Sequence, residues 1–218
     1  PASPVIINSH RMEQKTVKNK FTVLISVVTD RENKAPVEAA RRLLDEAETD
    51  GIEQLKADKD NWYKNFWSNA FMKLGDDYLE NIYYLRRYLM AAGSQGEFPV
   101  AFNGGLWRWN RDVMNWVTPH HWNTQQQYWG LCAQNDCQLM APYLNTYFKM
   151  IPSGETLAKE YGASDDALLI TEAHCFTGEQ TGKDREDMRN NFTPASQIAS
   201  LFWDYYAFTG DKDFLKSK

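Results

Sequence analysis

The sequence predicts a mainly α-helical fold built from paired helices, and three observations support this prediction. From Pro36 onward, apolar residues recur at helical spacing, beginning with Ala39, Leu43 and Ala47. From about residue 61, helices follow one another through connecting loops, and these loops are alternately short and long. Residues 21–29 alone have the β-branched composition that predicts a strand. This organisation suits an α/α toroid, in which long loops at one end of paired helices line a cleft.

Residues 1–35 are expected to contain the remnant of a β domain. Residues 1–20 are polar and mixed, whereas residues 21–29 are rich in valine and isoleucine and stop at a charged turn. A single strand cannot form a sheet. Either residues 1–20 supply its partners, or the rest of a β domain lies outside this chain. The chain begins at Pro1 without Met, so we interpret it as a processed chain or an excerpt.

Residues 36–60 are predicted to form a helical linker. Pro36 suits the first turn of a helix, and Gly51 interrupts the pattern before a second helix. The early part of that second helix is solvated, and it becomes amphipathic near Trp62 and Phe66. A helical domain is therefore expected over residues 61–218.

Turn and cap residues divide this helical domain. Gly75 ends one helix, and Asp76 can cap the next, which ends near Gly93. Residues 94–115 lack clear periodicity, which predicts a long loop of the kind that is usually functional. The last long helix is predicted to begin with Thr193 as its cap and Pro194 at its first position. Other helices are predicted at about 124–135, 138–150 and 154–161, with Pro152 ending the second.

Residues 104–129 combine indole rings with planar hydrogen-bonding side chains. Five of the eight tryptophans and two of the four histidines lie in this stretch. Pyranose rings have apolar faces that stack on indole and hydroxyl groups that need donors and acceptors. An unpaired buried polar group costs roughly 1–3 kcal/mol, so such a mixture is costly to bury at random. We interpret the stretch as a sugar-binding segment; the alternative is a core patch in which amides satisfy the indole N–H groups.

The composition argues against other classes of function. The net charge is −5 and no basic cluster exceeds a few residues, which disfavours nucleic-acid binding. No apolar run reaches roughly 18 residues, so no membrane span is expected. No third ligand stands at metal spacing beside His120 and His121, so we expect neither a metal nor another cofactor.

The three cysteines are Cys132, Cys137 and Cys175. An odd number excludes complete internal pairing, and the spacing of the first two is awkward for one helix face. We therefore interpret all three as small buried hydrophobic residues rather than as a disulfide or a metal site.

Five segments combine aromatic, amide and charged residues in a characteristic order. They are Asn61-Trp62 with Phe66-Trp67, residues 79–89, Gly104-Gly105-Leu106-Trp107, Asn123-Thr124-Gln125 with Tyr128-Trp129, and residues 203–215. The last segment includes Trp-Asp-Tyr-Tyr followed by Phe-Thr-Gly-Asp. Together these segments resemble the start of the catalytic domain of family 95 glycoside hydrolases, the α-L-fucosidase and related group. The resemblance covers roughly residues 20–218.

The resemblance implies an N-terminal β-sandwich, a helical linker and an (α/α)6 barrel. Residues 1–35 would be a remnant of the sandwich, and residues 61–218 the first part of the barrel. It also implies an inverting glycoside hydrolase of carbohydrate metabolism that acts on an oligo- or polysaccharide and is secreted or periplasmic. In that mechanism an acid protonates the leaving oxygen, while a carboxylate, helped by asparagines, orients water. The family's general acid and base lie beyond this chain, so the rest of the polypeptide or another fragment would complete the barrel.

The resemblance also suggests catalytic residues. The family has an Asn-x-Asn pair just before Tyr-Trp. Counting from Trp116 assigns the pair to Asn123 and Gln125, whereas counting back from the Tyr-Trp dipeptide assigns it to His121 and Asn123. Asn123 belongs to the pair in either register, and helix capping is its alternative role. A fourth catalytic candidate, Glu172, ends a short apolar run beside a polar loop, where a barrel would place a catalytic or sugar-binding group.

Other side chains in the tryptophan-rich stretch could bind the sugar directly. Three indoles are candidates for stacking, whereas Trp116 and Trp129 are assigned to the core. Arg111 and Asp112 could grip an acidic sugar, or could pair on the surface for under about 1 kcal/mol. The substrate-binding candidates are Trp107, Trp109, Arg111, Asp112, His120 and Trp122.

Two other functions fit the same residues. In a polysaccharide lyase, the polar residues at 108–125 would neutralise a uronate carboxylate while a His or Tyr removes the adjacent proton. A non-catalytic glycan-binding module would keep the aromatic residues without the acids.

Overall fold

The structure is a computed structural model that describes residues 5–8, 11–13, 21–100, 121–181, 184 and 186–217. The chain divides into two compact units, Pro1–Phe66 and Trp67–Lys218. Helices predominate in the described part of both units, which confirms the mainly α-helical fold class.

The first unit contains a short antiparallel strand pair and helices. Strands β1 (Val5–Asn8) and β2 (Arg11–Glu13) pair with each other, with an irregular register between Ile6 and Asn8. Helix α1 (Pro36–Asp50) begins with a proline in its first turn, as predicted. Gly51, with φ of 82°, separates it from helix α2 (Ile52–Ser68), which crosses the boundary between the units.

The strand predicted at residues 21–29 is absent, so this prediction is wrong. These residues form neither a strand nor a helix, and Val23, Ile25 and Val27 are exposed. Valine and isoleucine favour a pleated surface, but a strand forms only when a neighbouring chain takes up its backbone hydrogen bonds. Among the described residues, β1 and β2 pair only with each other.

In its described residues, the second unit consists of helices joined by turns and loops. Its helices are α3 (Asp77–Gly93), α4 (His121–Tyr128), α5 (Ala141–Glu160), α6 (Glu186–Arg189), α7 (Thr193–Thr209) and α8 (Lys212–Ser217), with a 3-10 turn at Cys137–Met140. No helix in the described part of the chain is both long and apolar enough to cross a membrane.

The predicted caps are correct at α3 and wrong at α7. The side chain of Asp76 accepts hydrogen bonds from the backbone N–H groups of Tyr78 and Leu79, as expected of a cap. Thr193 is the first helical residue of α7 rather than its cap. The side chain of Asn191 instead accepts hydrogen bonds from the backbone and hydroxyl of Thr193.

Helix α5 is one helix, not the two that were predicted on either side of Pro152. A proline inside a helix costs about 3 kcal/mol. One face of α5 buries Tyr143, Tyr147, Met150 and Leu157, at roughly 1.5–3 kcal/mol for each large side chain. This burial outweighs the cost of the proline, so the helix continues through it.

Cys132 and Cys137 form a disulfide, so their interpretation as unpaired hydrophobic residues is wrong. That interpretation assumed one helix through both residues. Helix α4 instead ends at Tyr128, and the chain turns through residues 129–135, where Asn135 has φ of 64°. The turn brings the two Cα atoms to 4.3 Å. Cys175 is a free, half-buried thiol.

A fully buried ion pair joins helix α3 to this turn. Nε and Nη2 of Arg87 each donate to the carboxylate of Asp136 at 2.8 Å, and both side chains have 0% exposure. Nη1 of Arg87 donates to the carbonyl of Ala70, and the amide of Gln134 donates to Asp136. We call Arg87, Asp136 and Gln134 the Arg87–Asp136 hub.

Candidate functional site at the start of helix α4

A close backbone contact fixes the segment that carries Glu172. Leu169 donates from its backbone N–H to the carbonyl of Gly154 in α5 at 3.2 Å. A Cβ atom at Gly154 would lie 2.9 Å from the carbonyl oxygen of Leu169, so only glycine allows this approach. The segment therefore lies directly against α5, and Glu172 follows three residues later.

The carboxylate of Glu172 receives donors from two other elements. The backbone N–H of Trp122 donates to Oε1 at 2.9 Å, and Nδ2 of Asn191 donates to Oε2 at 3.2 Å. Nδ1 of His121 lies 3.4 Å from Oε2, and the His121 backbone N–H donates to the Glu172 carbonyl at 2.7 Å. Glu172 thus holds the N-terminus of α4, a position that attracts negative charge. We call this cluster the Glu172 hub.

One face of α4 is buried and polar. His121, Thr124, Gln125 and Tyr128 stand at helical spacing and are each at most 1% exposed. Nε2 of Gln125 donates to Oε1 of Gln197 in α7 at 3.2 Å. This buried face links the Glu172 hub to α7.

The other face of α4 is exposed and carries indole and amide groups. Trp122 is 49% and Trp129 is 50% exposed, and their ring centroids lie 6.0 Å apart with planes at 78°. Asn123 and Gln126 are exposed on the same side. Trp129 was assigned to the core from the sequence, and that assignment is wrong, because it stands two helical turns after Trp122 and so lies on the same exposed face. We call Trp122, Asn123, Gln126 and Trp129 the exposed α4 face.

Tyr128, on the buried face of α4, begins a chain of three tyrosines that continues with Tyr143 and Tyr147 of α5. Tyr128 stacks on Tyr143 with centroids 4.3 Å apart, and the hydroxyl of Tyr143 donates to that of Tyr147 at 3.4 Å. Burial raises the pKa of Tyr128 to about 12 and raises the pKa of Tyr143 and of Tyr147 well above the ordinary value. The negative charge of Glu172 adds to the shift at Tyr143 and Tyr147. These hydroxyls remain neutral at physiological pH and act as hydrogen-bonding groups.

Two of the four catalytic candidates meet in the structure. His121 and Glu172 are in contact, and Gln125 lies one turn further along the same buried face. Asn123 lies on the exposed face, because residues two apart on a helix point in nearly opposite directions. Asn123 therefore cannot share one surface with either of its predicted partners while α4 is helical.

Most of the predicted sugar-binding residues fall outside the described part of the chain. Trp122 alone is described, and it is exposed. The candidates that lie outside the described residues are Trp107, Trp109, Arg111, Asp112 and His120. Their roles stay predictions.

Sequence reasoning missed the residues that α7 and its preceding turn contribute. Asn191 binds Glu172 across 19 residues, and Gln197 binds Gln125 across 72. Asn191 stands in an Asn-Phe-Thr sequence, whose pattern points to glycosylation and not to a carboxylate partner. No local signal identifies Gln197. Within the described residues, no group of three His, Cys, Asp or Glu side chains could hold a metal ion.

Comparison with known proteins gives one match. No curated protein and no solved structure matches the chain. The model of the glycosyl hydrolase family 95 catalytic domain matches residues 29–218, which is most of the chain. The match confirms the resemblance seen in the sequence, and the helices are consistent with part of an α/α toroid. The chain belongs to the catalytic domains of glycosyl hydrolase family 95, and its enzymatic class is that of a glycoside hydrolase.

Proposed function

We propose that the exposed α4 face is a sugar-contacting wall of an inverting glycoside hydrolase. The observation that carries this proposal is the arrangement of Trp122, Asn123 and Trp129 on one exposed face. Half-exposed indoles are costly to leave in water, and they offer flat apolar surfaces to the C–H faces of pyranose rings. Two indoles at an angle of 78° suit the two faces of a bent oligosaccharide better than one flat platform.

Asn123 supplies the hydrogen bonds that an indole cannot. Its amide offers two donors and an acceptor beside the rings, and can hold a sugar hydroxyl or the attacking water. In an inverting reaction, an acid protonates the leaving oxygen while a carboxylate takes a proton from water on the opposite face of the ring. The two carboxyl groups are then about 6.5–9.5 Å apart, and they would flank Asn123 in the complete protein.

Glu172, His121 and Gln125 support this wall from behind. His121 and Gln125 are buried, and the side chain of Glu172 is 18% exposed. Their contacts fix the start and the rotation of α4, which sets the direction of Trp122 and Asn123. We therefore assign them to positioning α4, with Glu172 the one of the three that can also reach a bound sugar.

A secreted or periplasmic location fits the same proposal. The Cys132–Cys137 disulfide supports it, because disulfides persist in oxidising compartments and are rare in the cytosol. A cleavable poly- or oligosaccharide outside the cytosol would then be the natural substrate.

The reaction can be tested on the full-length protein with a panel of nitrophenyl glycosides that includes α-L-fucoside. We expect release of nitrophenol, and a first-formed sugar whose anomeric configuration by NMR is opposite to that of the substrate. Retention of configuration would overturn the inverting mechanism. An unsaturated product absorbing in the ultraviolet, formed only from a uronate glycan, would show a lyase. Sugar affinity without turnover would show a binding module.

A further inference from the structure

We propose that the buried face of α4 binds one ordered water molecule between His121, Thr124 and Gln125. Three polar atoms on this face have no hydrogen-bond partner among the described residues: Nε2 of His121, Oγ1 of Thr124 and Oε1 of Gln125. All three side chains are at most 1% exposed. A buried polar atom without a partner is destabilising, so three on one helical turn point to a shared partner.

The positions of the three residues favour a shared partner. They occupy positions i, i+3 and i+4 of one helix, where side chains are neighbours with Cβ atoms roughly 5–6 Å apart. Buried waters typically make about three hydrogen bonds to polar groups of this kind. Side chains at these three positions of α4 can therefore reach one shared water.

The hydrogen-bonding character of the three atoms matches one water molecule. Nδ1 of His121 faces Glu172, and a proton on this nitrogen leaves Nε2 as an acceptor. Nε2 of Gln125 donates to Gln197, which leaves Oε1 as an acceptor. The hydroxyl of Thr124 can donate. A water would give its two hydrogens to His121 and Gln125 and accept one from Thr124.

Gln197 of α7 lies beside this site. Gln197 is only partly buried, and it binds Gln125 directly. Movement of the Gln197 side chain would open the site to solvent. The water would engage the second nitrogen of His121, so that the imidazole is held by Glu172 on one side and by the water on the other. This inference does not depend on the proposed sugar contacts.

Thr124→Val and Thr124→Ser in the full chain give the matched test. Valine keeps the shape of threonine and removes the hydroxyl, whereas serine keeps the hydroxyl. We expect Thr124→Val to lower the melting temperature by about 2–4 °C and Thr124→Ser to change it less, because the valine breaks the water's hydrogen bonds. An equal or higher melting temperature for Thr124→Val would overturn the proposal, since removing a partnerless hydroxyl stabilises a protein.

A crystal structure of the wild-type chain provides the second measurement, and it decides the matter if Thr124→Val fails to fold. We expect electron density for a water within about 3.2 Å of the three atoms. Density that is empty there, or a protein side chain bonded to the same atoms, would contradict the proposal.

Discussion

Two carboxylates organise the second unit, and their surroundings differ. Asp136 is fully buried and paired with Arg87 through two hydrogen bonds of 2.8 Å. Glu172 is 18% exposed, and its side-chain contacts include a backbone N–H at 2.9 Å, an amide at 3.2 Å and an imidazole at 3.4 Å. The Arg87–Asp136 hub has short, charge-matched contacts that fix the fold. The Glu172 hub has longer contacts and lies beside an exposed face, which suits a group that positions a site.

Breaking the Arg87–Asp136 hub should have the largest effect. Arg87→Met leaves the carboxylate of Asp136 buried without its cation, so we expect the free energy of unfolding to fall by about 3–5 kcal/mol. Denaturant-induced unfolding followed by tryptophan fluorescence measures this loss. The double variant Arg87→Met/Asp136→Leu should recover most of it, because it removes both charges. A double variant no more stable than Arg87→Met would mean that the pair itself, and not the stranded charge, supplies the stability.

Raising the pH should destabilise the folded protein, because it favours ionisation of the buried tyrosines Tyr128, Tyr143 and Tyr147 on unfolding. The folded-state pKa of Tyr128 is about 12, above its ordinary value near 10. Between these two values the folded chain keeps a proton that the unfolded chain releases. The contribution of Tyr128 to the free energy of unfolding is therefore complete below about pH 10 and is lost as the pH rises through 12. Each such tyrosine should lower the free energy of unfolding by about 1.4 kcal/mol per pH unit in that window.

Unfolding measured at pH 9 to 12 checks this expectation, with Tyr128→Phe as the control. The variant should be less stable at neutral pH, because the hydroxyl binds Ser94 and the backbone N–H of Val100. Its stability should nevertheless fall less steeply with pH. An identical slope for both proteins would show that Tyr128 is not the group that titrates.

Breaking the Glu172 hub should have a smaller effect on stability and a larger one on activity. Glu172→Ala removes the acceptor of the Trp122 N–H at the start of α4, which should cost about 1 kcal/mol, as the loss of a helix cap does. Turnover per folded molecule should fall by more than this loss of stability explains, because Trp122 and Asn123 lose their fixed direction. Unfolding and steady-state kinetics on the same samples separate the two effects. Turnover that falls only in proportion to the unfolded fraction would make Glu172 a structural residue.

The sequence predicted the helices well where the signal is local. Apolar periodicity located α1, α2, α3 and α7, and Asp76 was identified as the cap of α3 from its position alone. Predictions failed where a distant partner decides the outcome. Residues 21–29 lack a pairing strand, and burial of one face carries α5 through Pro152.

The candidate site was predictable only in part, for the same reason. Glu172 was noticed because it ends an apolar run, and His121 because of the family resemblance. Their contact spans about 50 residues, and the sequence gives no sign of it. The pairing of Asn123 with Gln125 or His121 looked plausible in the sequence, but helical geometry places Asn123 on the opposite face.

The most direct test of the exposed α4 face compares two amides on one helix with a third amide elsewhere. Asn123→Ala, Gln125→Ala and, as the control, Gln138→Ala at an exposed position on the 3-10 turn would be assayed in the full-length protein for turnover and for unfolding. We predict that Asn123→Ala lowers turnover about 10²-fold or more while stability hardly changes, as loss of a hydrogen bond to the reacting groups does. Gln125→Ala should lower stability, and it should lower turnover per folded molecule by less than Asn123→Ala does, because Gln125 only positions α4. Gln138→Ala should alter neither. Unchanged turnover in Asn123→Ala would contradict the assignment of the exposed α4 face as the wall that contacts the sugar.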